Sequence, residues 1–162
     1  MVKNEKMVLP SDVAKYFLLR TEEDGELVSP LKMQKLVYFA YAHHLAETKK
    51  RLFNEKIEAW PLGPVVRSLY DELKKYGSSP IDVKQYTGIT SSAQATKFVS
   101  IFDKDTLGVL NKVYDGYQTF TPFELVTLAH RENAWLKARE GLKPDENGSR
   151  VIKDADIIQQ YA

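Results

Sequence analysis

Cysteine is absent from the 162-residue chain. That absence removes disulfides, thiolate nucleophiles and cysteine-ligated zinc together, and it fits a reducing cytosol. Long apolar runs are missing too. No stretch approaches the roughly 20 residues that span a bilayer, and the start, MVKNEKMVLPSD, has no apolar segment of signal-peptide length. The expectation is a cytoplasmic protein without a membrane partner. Surplus charge of one sign is also lacking, with Lys and Arg numbering 23 against 22 Asp and Glu. The signs are evenly spread: ten basic and nine acidic residues in 1–60, seven and six in 61–120, six and seven in 121–162. Nucleic-acid binders concentrate basic residues on one face, so this balance argues against a nucleic-acid partner. The one basic cluster, Lys49-Lys50-Arg51, reads as a solvated helix end, where cations suit the carbonyl terminus.

The motifs of common catalytic and nucleotide sites are missing as well: no G-x-S-x-G, no phosphate-loop lysine, no H-E-x-x-H, no G-x-G-x-x-G. Of three histidines, His43 and His44 are adjacent, so on a helix they diverge by roughly 100° and do not share a metal. His44 falls on an apolar stripe and reads as a core or boundary residue. His130, in LAHRENAW, reads as a C-terminal capping histidine beside a buried Trp135 rather than a general base. The expectation is a protein that is not an enzyme, with no metal and no cofactor.

What is present is helical periodicity. The fold expected is mainly α, one domain over residues 1–162 with six or seven helices and a small β element. Ser11 is placed as the cap of a first helix reaching about Arg20. In SPLKMQKLVYFAYAHHLAE, Ser29 caps, Pro30 takes the first helical position, and Met33, Leu36, Val37, Ala40, Tyr41, His44 and Leu45 form one buried stripe. KIEAW reads as a short extended piece. Gly63 and Pro64 are read as launching a helix with Val66, Leu69, Tyr70 and Leu73 inward, stopped by Gly77. Residues 77–92 and 141–150 read as loops, and KFVSIF (97–102) as a strand pairing with 57–60. A helix with Leu107, Leu110, Tyr114 and Tyr117 on one face follows. Then come a capping box at Thr121-Pro122-Phe123-Glu124 opening a helix to His130, a short helix capped by Asn133, and a last one capped by Asp154 and docking over 154–161. An anion site at the Pro64 helix start is a further, weaker reading; a rigid corner is the main one.

Three blocks carry a resemblance: SPLKMQKLVYFAYAHHLA (29–46), FNEKIEAWPLGPVVRSLYDELKKYG (53–77) and FELVTLAHRENAWLKAR (123–139). Their order and spacing resemble the Panacea domain, also called the GepA or SocA-like antitoxin domain, found in bacterial and phage genomes. Met33 stands where leucine is commoner and Ala129 where threonine precedes the histidine. The likeness covers about residues 10 to 140. It implies a largely helical antitoxin of a toxin–antitoxin system, neutralising a cognate toxin protein by direct binding, with homo-oligomers left open. The matched positions Lys32, Gln34, Lys35, Tyr38, Trp60, Gly63, Pro64, Tyr70, His130 and Trp135 enter as motif residues, structural or partner-binding, because the family supplies no catalytic set to carry over. Two other readings stand beside this one. The first is an adaptor that presents a partner to a protease. The second is an enzyme or a small phosphate- or nucleotide-binding protein built on the Pro64 helix start and His130.

Overall fold

A computed structural model describes residues 7–162, so the first six residues of MVKNEKMVLPSD lie outside it. Among the described residues there are nine α-helices and one two-stranded sheet. The organising element is α2 (Pro30–Thr48). The Ser29 side chain accepts from the Lys32 N–H, and Pro30 sits at N1, where a missing N–H goes unneeded. Every residue from Lys32 to Ala42 is buried, as are His44 and Leu45, so the expected single stripe is in fact a helix enclosed on all sides. It is surrounded by α1 (Pro10–Glu23), α6 (Lys104–Tyr117), α7 (Pro122–His130), α9 (Asp154–Gln160), the sheet and α3 (Arg67–Leu73). Because Lys32–Ala42 is buried on every face, the polar side chains of that stretch must find partners inside the protein. Lys49, at φ 61, ends the helix, and its ammonium donates to the Ala46 carbonyl at 2.8 Å, as the helix-end reading expects.

The sheet joins β1 (Glu58–Trp60) to β2 (Gly63–Val65) through the two-residue turn Pro61-Leu62, in the register Glu58↔Val65, Ala59↔Pro64, Trp60↔Gly63. Two expectations are corrected here. The partner of 57–60 is the segment immediately after it, not KFVSIF, and Pro64 lies in a strand instead of starting a helix. Proline is tolerated because Ala59 turns its hydrogen-bonding groups away from Pro64: its N–H donates to the Arg150 carbonyl at 2.8 Å and its carbonyl accepts from Arg139 at 3.2 Å. Ile152 N–H in turn donates to the Ile57 carbonyl at 2.8 Å, so the segment after the 141–150 loop runs beside β1 as a third strand-like edge. The helix begins only at Arg67, after Val66. The anion reading rested on a helix start at Pro64, and that start lies at Arg67 instead.

The helix count exceeds six or seven because α4 (Val83–Thr87) and α5 (Ser92–Val99) form in the polar region read as loop and strand. Asp82 and Ser91 cap them by accepting from the N–H groups of Gln85 and Gln94. Neither helix has a fully buried residue; Val83 and Tyr86 of α4 and Phe98 and Val99 of α5 pack against the core only in part. Smaller corrections concern ends. α1 begins at Pro10 behind Leu9, whose N–H donates to Asp12 at 2.9 Å, and runs on to Glu23. Glu132 and Lys153 hold the cap positions of α8 (Asn133–Ala138) and α9, with Asn133 and Asp154 the first helical residues. Thr121 and Glu124 form the expected capping box of α7. Gly77 closes the turn after α3 at φ 57, ψ −124, a region favouring glycine. Among the described residues no helix is long and apolar enough to cross a membrane.

Candidate binding pocket

The corner between α2, the hairpin and α3 encloses a cavity of about 590 Å³. Pro30, Leu31, Val65 and Leu73 supply apolar wall, Gln34 and Lys35 belong to its lining from α2, and Trp60, Leu62 and Tyr70 stand around it. Tyr70 is 42% exposed, contrary to its expected inward position, and Leu62 is 51% exposed. The Trp60 and Tyr70 rings meet at 4.8 Å between centroids. Arg67 lies over the Trp60 ring at 5.2 Å while its fork donates to both Glu58 carboxylate oxygens at 3.0 and 3.1 Å. Trp60 Nε1–H also donates to Glu58, at 3.0 Å. Burial works against the Glu58 carboxylate, but Arg67 and the indole N–H hold its pKa below the ordinary value.

Two polar side chains of α2 build the cavity's inner wall. Gln34 acts as a strand would: its Nε2 donates to the Val66 carbonyl at 3.1 Å and its Oε1 accepts from the Val66 N–H at 3.0 Å. Both backbone groups of a buried residue are thereby satisfied, and α3 is fixed to α2. Lys35 has no exposed surface, and its Nζ donates to the Pro64 carbonyl at 2.9 Å. Burial alone pulls its pKa from 10.5 to about 7. Gly63 is required beside it. At φ +110, a Cβ at that position would lie 2.8 Å from Lys35 Cε and 3.4 Å from the Ala129 Cβ.

Behind the hairpin, α7 and α8 hold the turn by its carbonyls. His130 Nε2 lies 2.7 Å from the Pro61 carbonyl, and since a carbonyl only accepts, that nitrogen carries the proton. Trp135 Nε1–H donates to the Trp60 carbonyl at 3.0 Å, and the His130 and Trp135 rings stack at 4.4 Å. His130 therefore braces the corner through the Pro61 carbonyl instead of the carbonyl end of its own helix. Arg139, buried, completes the frame. It donates to the carbonyls of Ala59, Lys143 and Glu146 at 3.2, 2.8 and 2.7 Å, which ties the 141–150 loop to β1. Asp145 and Asn147 of that loop complete the cavity's rim.

Two motif residues lie away from this corner. Lys32 donates to the Gln118 carbonyl at 2.6 Å, linking α2 to the end of α6. Tyr38 donates to Glu132 Oε1 at 2.8 Å, and Tyr161 of the C-terminal segment donates to the same carboxylate at 3.0 Å. Desolvation pushes the Glu132 carboxyl above its ordinary pKa, although the two tyrosine hydroxyls act in the opposite direction. His43 Nε2 contacts the Tyr117 hydroxyl at 2.9 Å, whereas His44 Nδ1 contacts the Lys50 carbonyl at 2.9 Å, so the two histidines do diverge. Among the described residues no three His, Asp or Glu side chains gather as metal ligands.

Of the ten motif positions, Gln34, Lys35, Trp60 and Tyr70 meet around the cavity. Gly63, Pro64, His130 and Trp135 support it, and Lys32 and Tyr38 fasten α2 elsewhere. Sequence reasoning missed Arg139, Glu132 and Glu58 as site-forming residues. Arg139 and Glu132 stand in the third motif block and Glu58 in the second, so their place in those blocks was the available signal.

A helical domain wrapped around one buried helix, with a braced hairpin at a semi-exposed aromatic corner, is the class these features define. The family described as "Antitoxin SocA-like, Panacea domain" matches residues 33–136, and the chain belongs to that family. No curated protein and no solved structure matches it.

Proposed function

We propose that the chain is an antitoxin that neutralises a cognate toxin by binding it directly, and that it acts as a binding module and not as an enzyme. The observation that carries this reading is the exposed apolar rim of Leu62 and Tyr70 beside half-buried Trp60, on a corner assembled from family-motif residues. Aromatic side chains supply large contact area at low entropic cost and are enriched among interface hot spots. The corner is also preorganised. The Trp60 and Pro61 carbonyls are held by Trp135 and His130, and Val66 is held by Gln34, so little ordering remains to oppose association. Gln34 and Lys35 of the lining serve that framework through Val66 and the Pro64 carbonyl, and Glu58 beside Trp60 is held by Arg67 and the indole N–H.

Co-expression with the protein encoded beside it tests the proposal. Restored growth and co-elution of the two proteins on gel filtration are the expected results. A partner that stays lethal, with no complex formed, would overturn the reading.

A further inference from the structure

The hydrogen bonds around residues 149–153 leave one edge of that segment open. Ala59 N–H donates to the Arg150 carbonyl and Ile152 N–H to the Ile57 carbonyl, both at 2.8 Å, on either side of the antiparallel bridge Glu58↔Val151. In that arrangement the two bridged residues turn their own N–H and C=O groups away from each other. Those of Glu58 face β2, its other neighbour, and those of Val151 face outward, with Ser149 on the same edge. Among the described residues nothing in the protein bonds to the N–H or C=O of Ser149 or Val151. Ser149, Arg150, Val151 and Lys153 are exposed, while Ile152 is buried and anchors the segment. The open edge is also held in place. Arg139 ties the preceding loop through the Lys143 and Glu146 carbonyls, and Arg150 donates to the Glu140 carbonyl. A cavity of about 530 Å³, lined by Trp60, Pro61, Arg67 and Tyr70 together with residues 147–149, joins it to the aromatic corner. Residues 147–153 carry two cations, Arg150 and Lys153, and no acid. Neither makes a salt bridge among the described residues, and neither does Lys56, which lines a further cavity with Val151 and Lys153. Of the nearby carboxylates, Asp154 is paired with Arg51 and Glu58 with Arg67, which leaves Glu55 and Glu140. Positive charge is in excess along the edge.

We propose that the Ser149–Val151 edge takes an extended, acidic segment of the partner as an added strand beside the aromatic corner. The inference rests on the antitoxin reading and names the element by which the partner is held. An added strand satisfies the outward N–H and C=O groups by main-chain bonds, and the sheet grows by one member. A helical segment offers nothing to those groups, because it spends its own backbone bonds internally. A second copy of this chain is opposed by charge, since edge-to-edge pairing would double the cations on one short strand pair. The same arginine and lysine thus blunt self-pairing and favour an acidic strand.

The test uses the full purified chain and the purified product of an adjacent gene that is toxic when expressed alone. The Ser149 and Val151 amides should exchange fast in the free chain and become protected in the complex. Val151→Pro removes an outward N–H that bonds to nothing in the fold, a place where an edge strand tolerates proline. It should weaken binding about tenfold, while Val151→Thr binds as the parent does. Arg150→Gln/Lys153→Gln should weaken binding and flatten its salt dependence. A complex that leaves both amides unprotected, or binds Val151→Pro like the parent, overturns the added strand and leaves the antitoxin reading standing. Unchanged affinity and salt dependence in the arginine and lysine variant overturn the acidic assignment. A dimer of the chain alone that Val151→Pro dissolves gives the edge to a second copy and overturns the proposal. Binding through this edge without restored growth supports the strand and overturns the antitoxin reading; no complex at all overturns both. If Val151→Pro fails to fold, amide exchange in the unmodified chain decides.

Discussion

Gly63 and Lys35 press on one another: a Cβ on residue 63 would come within 2.8 Å of the lysine Cε, and the glycine holds φ +110. An L side chain is disfavoured there twice, by backbone conformation and by the lysine. Gly63→Ala should therefore lower stability by about 1–3 kcal/mol, seen as a lower denaturant midpoint at unchanged slope. An alanine variant as stable as the parent would show that the hairpin relaxes away from α2.

Lys35 gives the protein a pH dependence of defined sign. Its folded pKa of about 7 lies below the ordinary 10.5, so between these values the unfolded chain binds the extra proton. Stability should rise from about pH 7 towards pH 10, by up to about 1.4 kcal/mol per pH unit. Below pH 7 the lysine is protonated in both states and its burial cost is fully present. Lys35→Met should flatten the rise and should be at least as stable as the parent at pH 6. Equal slopes in parent and variant would place the lysine in water.

Glu132 works in the opposite sense. Desolvation raises its folded pKa, so the folded state binds the extra proton and stability falls as pH climbs through the window above the unfolded value. Glu132→Gln keeps an oxygen for Tyr38 and Tyr161 and should remove that fall. A steeper loss in the glutamine variant would mean that the tyrosine hydrogen bonds need the charge.

Arg139 ties three carbonyls, two of them in the 141–150 loop. Arg139→Met should retain the packing along the stem yet orphan those carbonyls, at about 1–3 kcal/mol for each buried group left unmatched. Cleavage within 141–150 under limited proteolysis should quicken. Unchanged protection of the loop would show that its bonds to Ile57 and Ala59 suffice.

Helices with strong apolar periods or clear caps were legible in the sequence. Ser29-Pro30 and Thr121-Pro122-Phe123-Glu124 announced α2 and α7 by local chemistry. α4 and α5 were not legible, because they are short, their inward residues Val83, Tyr86, Phe98 and Val99 are few and only partly buried, and they open on single Asp and Ser caps. Pro64 misled since X-Gly-Pro fits a helix start as well as a hairpin. What decides between them is the long-range bonding of Ala59 to Arg150 and Arg139, far along the chain. The corner's rigidity was anticipated, but its exposure was not: Tyr70 and Leu62 face outward, and Trp60 is half-buried. Trp60→Ala should accordingly cost less than the ~3–5 kcal/mol of a fully buried tryptophan. The isolation of Lys35 could not be read from KMQKL, since partners for a buried ammonium come only from the tertiary fold.

Leu62 and Tyr70 are exposed, but Tyr70 also packs on Trp60 at 4.8 Å, so Leu62→Glu should shift stability by no more than about 0.5 kcal/mol and Tyr70→Glu should cost about 0.5–1.5 kcal/mol. Direct neutralisation is tested most simply by calorimetric titration of the purified chain, and of the Leu62→Glu/Tyr70→Glu double variant, with the purified product of an adjacent gene found to be toxic when expressed alone. The prediction is saturable binding by the parent and at least a hundredfold weaker binding by the double variant, which stays folded at the assay temperature and unfolds cooperatively above it. Protection from the toxin in cells without any binding between the purified proteins would contradict it.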